Sequence, residues 1–447
     1  MNISQIFFSE IDKVAKKDIS DSVMARARHS LLDYLAVTCA GAAFQKDKIN
    51  QYFDFAQPEE GTFKAIGTNK SLVLKEAVFL NGLNAHALDF DDGTNSGIIH
   101  LGSPIFSLLL PLSQRYGTSI DDMLKAAIIG YEASYTMAVT IQPTHKKMGF
   151  HATGTCGMLG ATMAATYMLG FSEEERFNAF ATACVSASGM LKVLDDGSEL
   201  KPYNVAKTAL LSLTSLQLAK AGFKGHHDPL GGYRGFLKMM CGDENIPLKP
   251  TLLDGTYAIM KSYTKPYASC RYTHPPVEAA IHLRNMHGLN IEDIIDVKVE
   301  TYDLAVSGHD HTEVKSAYSA KMSAPYSTAV AIAYGKAGLQ EFSEDNLANP
   351  QIKSLTQKIQ VVAVDELSRI FPQKQSAVVT ITTTKGIFSE RVDFPKGEPE
   401  NPLTEEEFWA RYADLMDFGN IEKSVYGSIY QCVEQSNPKV TDILTNI

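Results

Sequence analysis

The stretch Asn81–Pro104, NGLNAHALDFDDGTNSGIIHLGSP, sets three carboxylates, two imidazoles and four glycines between one apolar helical run and another. Upstream, AVFLNGLNAHALDF repeats apolar residues at helical intervals, which predicts a helix over Leu74–Asp89 with His86 and Asp89 near one face at i and i+3. Asp89, Asp91 and Asp92 then crowd one helix end, where like charges repel unless cations, hydrogen-bond donors or water separate them. Gly93 to Gly97 break the helix into a loop. His100 follows, and GSP leads into IFSLLLPL, so this imidazole stands at the mouth of a buried segment. Taken alone, the stretch also reads as a solvated acidic turn with a capping histidine.

At 447 residues the chain exceeds one ordinary core and points to two structural units. Hydrophobic residues at 45% against 21% charged describe a globular protein rather than a disordered one. A net charge of −10 and a pI near 5.7 argue against a nucleic-acid partner, because nothing supplies the basic field that phosphates need. An anionic small substrate would require a local basic pocket. The six cysteines are scattered without a C-x-x-C pair, which fits a reduced, cytoplasmic setting. MNISQIFFSEIDKVAKK carries acids in its first turns and no long apolar core, unlike a secretory signal. The uncharged run from Met148 to Phe171 is rich in Gly, Ala and Thr and contains His151, so it reads as a tightly packed buried helix and not a membrane span.

Helical periodicity continues through Ser20–Ala43, Ile105–Gly117, Ile120–Ile141, Gly154–Leu169, Ser172–Ala187 and Tyr203–Ala221, an all-helical unit up to about Cys241. The texture then changes. Ile294–Val306 alternates like a half-buried strand, Ser376–Phe394 reads as a hairpin around Lys385-Gly386, and helices are predicted over His274–His287, Ser323–Lys336 and Gln351–Phe371. The fold class is therefore mainly α with a smaller α+β domain. The segment from Pro402 through Trp409 returns to helix.

Four further segments concentrate polar groups. GFHATGTCG places His151 before a small-residue helix whose N-terminus can bind a carboxylate. ELKPYN places Lys201 before Pro202 at a helix start, where a lysine is ordinarily a surface charge. KPYASCRYTHPP gathers Lys265, Arg271 and His274 with a thiol, a cationic density out of keeping with an acidic chain. KMSAPY brings Tyr326 into a buried helix, where a phenol more often satisfies a core hydrogen bond than donates a proton. His309 and His311 in SGHDHTE lack a third ligand, so no metal is expected there. There is no G-x-S-x-G, G-x-G-x-x-G or Walker loop.

Together AHALDFDDG with His100, GFHATGTCG, ELKPYN with AGFKG and GGYRGF, KPYASCRYTHP and KMSAPYSTAVA resemble the MmgE/PrpD family, which includes 2-methylcitrate dehydratase, cis-aconitate decarboxylase and iminodisuccinate epimerase. The resemblance covers most of the chain. It implies a helical domain from residues 1–261 with 399–447, an α+β lid at 262–398, a homodimer, a small polycarboxylate substrate and no cofactor. It also implies catalytic roles for His100, Asp89, His151 and Tyr326, and substrate binding by Lys201, Lys265, Arg271, His274 and Thr94. Gly93 stands where decarboxylase-like members carry a threonine directly after the two acids, and the gap to His100 is longer, which is more similar to the epimerase branch. Asn204 and Leu101 depart from the residues usual at their places, and a non-catalytic dimer on the same fold is the rival reading.

The chemistry implied by the resemblance moves a proton α to a carboxylate. Lys201, Lys265 and Arg271 would stabilise the carbanion, His100 or His151 would carry the proton, and Asp89 would orient the histidine. Tyr326 would protonate a leaving hydroxyl. Asp89 and Asp91 favour His100 as base, whereas the helix start after His151 should lower that histidine's pKa.

Overall fold

The structure is a computed structural model and describes residues 1–250, 255–435, 438–445 and 447. Met1–Leu191, Leu200–Ser262 and Glu405–Ile447 form one compact unit, and Lys192–Glu199 with Tyr263–Thr404 form the other. The first is helical apart from a two-stranded antiparallel pair, Glu60–Lys64 with Ser71–Leu72. The second combines helices with a four-stranded sheet. Among the described residues no helix is long and apolar enough to cross a membrane.

Helix Asp21–Phe44 starts where the Ser20 side chain accepts from the Val23 amide, and from Ser30 to Ala42 every residue is buried. Helices Ile120–Ile141 and Ala152–Met168 are likewise buried on nearly all sides, which explains their lack of an amphipathic stripe. Their contact depends on small residues. A Cβ at Gly160 would lie 1.8 Å from the Ser134 hydroxyl and 2.5 Å from the Gly130 carbonyl, so any larger residue would force two close-packed helices apart. Helix Glu173–Ser186 opens with a capping box between Ser172 and Glu175.

In the second unit the strand order is Ile359–Ala363, Ile294–Thr301, Ala377–Thr383, Gly386–Val392, with the first pair parallel and the others antiparallel. Ala377–Thr383 alternates buried and half-buried residues, and helix His274–His287 packs on it and on Gly386–Val392. Two expectations are corrected here. The strand from Ile294 stops at Thr301 and Asp303–Val306 is helical, while Gln351–Phe371 is not one helix but helix Pro350–Gln357, strand Ile359–Ala363 and helix Asp365–Ile370. The β-branched IQVVA pairs beside Val297–Thr301, and that pairing outweighs the helical spacing around it.

Candidate acid–base site

Helix Leu74–Ala85 ends one turn earlier than its periodicity predicts, because His86 is its C-cap and Asp89 adopts a left-handed φ of 51°. The turn is held from below. Arg411, on helix Glu405–Phe418, donates to the Phe90 carbonyl at 2.9 Å, pairs with Asp33, and stacks 4.5 Å over the Phe90 ring. His86, Asp89, Asp91, Asp92 and His100 are all buried, so the acids are not a solvated turn.

Asp91 is the hub. Its carboxylate lies 2.9 and 3.0 Å from His86 Nδ1, accepts from the Ser103 hydroxyl at 2.6 Å, and stands 3.2 Å from His100 Nδ1. Burial alone would raise this carboxyl, but the imidazoles of His100 and His86 overcome it and hold Asp91 well below the usual carboxylate range. Asp92 is braced differently: Tyr131 donates to it at 2.6 Å and the Gly102 amide at 2.9 Å. Burial nevertheless pushes its carboxyl up to about 6. Gly102 is required there, since a Cβ would meet the Tyr131 hydroxyl at 2.6 Å.

The tautomers follow from these partners. His100 Nδ1 lies 2.9 Å from the Asp92 carbonyl as well as beside Asp91, two acceptors, so Nδ1 carries a proton and the ring is turned with Nε2 toward Asp89. That Nε2 is 3.5 Å from Asp89 Oδ1, and the same oxygen accepts from Lys201 Nζ at 2.6 Å. Asp89 thus sits between a lysine and the reactive edge of His100, while Asp91 and the Asp92 carbonyl orient the ring. Asp89, expected to orient the histidine, meets the ring at Nε2 rather than at Nδ1.

His151 completes the group. It caps helix Ala152–Met168, its ring lies 5.8 Å from His86 and 6.4 Å from His100, and Asn204 Nδ2 is 3.2 Å from its Nδ1. Burial, with Lys201 next in weight, holds its pKa well below the ordinary histidine value. Burial likewise pushes His86 down to about 4 against the pull of Asp91. Thr94 closes the intervening loop, its amide donating to the Ile99 carbonyl at 2.9 Å and its hydroxyl accepting from Gly97 at 3.3 Å.

The remaining expected residues lie in the second unit. Lys265 is 1% exposed there. Arg271 pairs with Glu398, donates to His274 Nδ1 at 2.8 Å and stacks 4.6 Å over Tyr263, so its charge is balanced internally. His274 donates through Nε2 to the Ser269 carbonyl at 3.2 Å. The Tyr326 hydroxyl donates to the Glu341 carbonyl at 3.3 Å, and burial raises its pKa. His309 bonds the Met322 carbonyl and His311 the Ser319 carbonyl.

His86, Asp92 and Asn204 are functional candidates to which the sequence reading assigned no role, and Asp91, read only as favouring His100, also holds His86. The signal was a histidine and two further acids within the same stretch, but only the fold shows which carboxylate faces which ring. One ligand atom from each of His86, Asp89, Asp91 and His100 lies within 4.8 Å of the others, a spacing that admits a small cation. Lys201 already brings a positive charge against Asp89, and the Asp91 bonds to both imidazoles would have to be broken to admit another.

Buried imidazoles held by carboxylates beside a lysine are groups able to move a proton. The MmgE/PrpD N-terminal domain matches residues 7–249 and the MmgE/PrpD C-terminal domain residues 267–432, and the chain belongs to this family. It is similar to cis-aconitate decarboxylase of Aspergillus terreus, 25% identical over 428 residues that cover 90% of this chain and 86% of that protein. Cis-aconitate decarboxylase of Mus musculus is 23% identical, covering 91% and 85%, and that of Homo sapiens is 22% identical, covering 95% and 90%.

Proposed function

We propose that the protein is a lyase acting on a small di- or tricarboxylate by proton transfer at the carbon next to a carboxylate, with the chain's own side chains supplying the acid–base chemistry. The observation that carries this is the orientation of His100: its Nδ1 is held by Asp91 and the Asp92 carbonyl, which turns Nε2 toward Asp89 and the lysine, Lys201, that Asp89 binds. Nε2 takes the α-proton as base. Charge then develops on the substrate carboxylate as an enediolate, and the Lys201 ammonium stabilises it, the substrate oxygen replacing Asp89 as its partner.

Three reactions are open to such a centre. A β-hydroxyl leaves as water in a dehydration. A decarboxylation needs no prior deprotonation: the C–C bond to a carboxylate breaks, CO2 departs leaving its electron pair on carbon, and His100, entering as the imidazolium, protonates that carbon. In an epimerisation the proton returns to the opposite face. The decarboxylase relatives support the lyase reactions, and the Gly93 spacing supports epimerisation as the second reading. The working assembly in this scheme is a homodimer.

The test is incubation of metal-stripped protein with methylcitrate, cis-aconitate and iminodisuccinate in deuterated solvent, followed by NMR. Turnover or α-deuteration of at least one is expected. Neither, with any of the three, overturns the proposal.

A further inference from the structure

His86 is absorbed by none of the steps above, yet it is among the most deeply buried polar residues of the site at 1% exposure. Its Nδ1 faces both oxygens of Asp91, so the ring proton sits on Nδ1. Its Nε2 is left as a lone pair, and that atom is buried with no hydrogen-bond partner among the described residues. A buried acceptor without a donor costs free energy in the resting protein, so it calls for a ligand.

His151 has the opposite arrangement. An amide NH2 only donates, so Asn204 Nδ2 at 3.2 Å makes His151 Nδ1 the acceptor and puts the proton on Nε2. The two rings are nearly parallel, 25° apart, with centroids at 5.8 Å. That separation brings both rings within reach of one small polar group. One ring offers a lone pair and its neighbour an N–H.

We propose that His86 and His151 form a subsite of opposed tautomers, set by Asp91 and Asn204, that selects a hydroxyl on the substrate. This rests on the polycarboxylate reading and narrows it. A hydroxyl donates to His86 Nε2 and accepts from His151 Nε2–H at once. A carboxylate oxygen would set lone pair against lone pair at His86, and an ammonium would set N–H against N–H at His151. Water, which also donates and accepts, is the group a hydroxyl would displace. Asp91 and Asn204 act here as positioning residues.

Two measurements test this. Calorimetric binding of citrate against tricarballylate, and of malate against succinate, compares pairs that differ only by a hydroxyl. The wild type should prefer the hydroxylated member of at least one pair by tenfold or more, a ratio that collapses towards one in His86→Phe and in Asn204→Leu. Nitrogen NMR of histidine-labelled protein should show His86 protonated at Nδ1 and His151 at Nε2, with the His151 assignment lost in Asn204→Leu. Equal affinity within both pairs, no binding of any of the four acids, or the same tautomer on both rings overturns the subsite. Deuterium exchange without hydroxyl preference would sink the subsite and leave the lyase standing; hydroxyl preference without exchange would do the reverse.

Discussion

Arg411 and Phe90 are 321 positions apart in the chain, and a 2.9 Å hydrogen bond from the guanidinium to the Phe90 carbonyl joins them. It pins the backbone between Asp89 and Asp91, so helix Glu405–Phe418 sets where both carboxylates stand. Asp33 neutralises the same guanidinium, and both partners are buried.

Arg411→Leu should therefore cost about 3–5 kcal/mol, because it leaves Asp33 buried and uncompensated. Chemical denaturation checks this. The double variant Arg411→Leu with Asp33→Leu should recover part of the loss while still failing to fix Phe90. If the single variant is as stable as wild type, the pair is not what anchors the turn.

His100→Gln should lower α-proton exchange by about 10²–10⁴-fold with substrate affinity largely kept, as expected for loss of a general base. Lys201→Met should weaken affinity as well as rate, since it removes the carboxylate's counter-charge. Exchange at the wild-type rate in His100→Gln, together with its loss in Lys201→Met, would move the base to the lysine.

The lowered histidines make stability depend on acid. His86 and His145 are each depressed by burial to about 4 in the folded protein, against an ordinary value of 6.5. The unfolded chain then binds more protons between those limits, so stability falls as pH drops from about 6.5 towards 4. Asp92, raised to about 6, acts in the opposite sense: its stabilising protonation is lost as pH rises from about 4 to 6. Two rings outweigh one carboxyl, and the melting temperature should fall on acidification through this window. His145 bonds the Met240 carbonyl and the Thr155 hydroxyl, away from the carboxylates, so His145→Gln should flatten the slope without touching the acid cluster.

Glu398→Ala should destabilise the second unit by about 3–5 kcal/mol through the stranded Arg271 charge. Pairing it with Arg271→Met should restore most of that. A thermodynamic cycle on unfolding reads the coupling; if Arg271→Met instead leaves stability intact and raises KM alone, the guanidinium contacts substrate after all.

The helical unit was legible because its helices are long and their caps and stops are local: Ser20, Ser119 and Ser172 cap where they stand. Ile120–Ile141 matches its predicted limits for this reason, and in the second unit His274–His287 does so because proline opens it and left-handed Gly288 ends it. The strand Ile359–Ala363 was not legible, since five residues flanked by helical spacing carry little period of their own and their pairing partner lies some 60 residues upstream. The site shows the same division. The stretch around Asp89 announces carboxylates and imidazoles, but which of three acids faces His100 depends on a backbone reversal that periodicity reads as more helix. Arg271 shows the same limit: its partner Glu398 lies 127 positions away, beyond any local reading.

The left-handed backbone at Asp89 narrows what can ever occupy that position. Glycine, asparagine and aspartate tolerate such a conformation at least cost, and of these only aspartate brings a charge to Lys201. Glutamate would keep the charge and strain the turn; asparagine would keep the turn and lose the charge. Backbone geometry and side-chain chemistry thus select the same residue independently, which leaves this site little room to drift and makes Asp89→Asn the substitution that separates the two constraints.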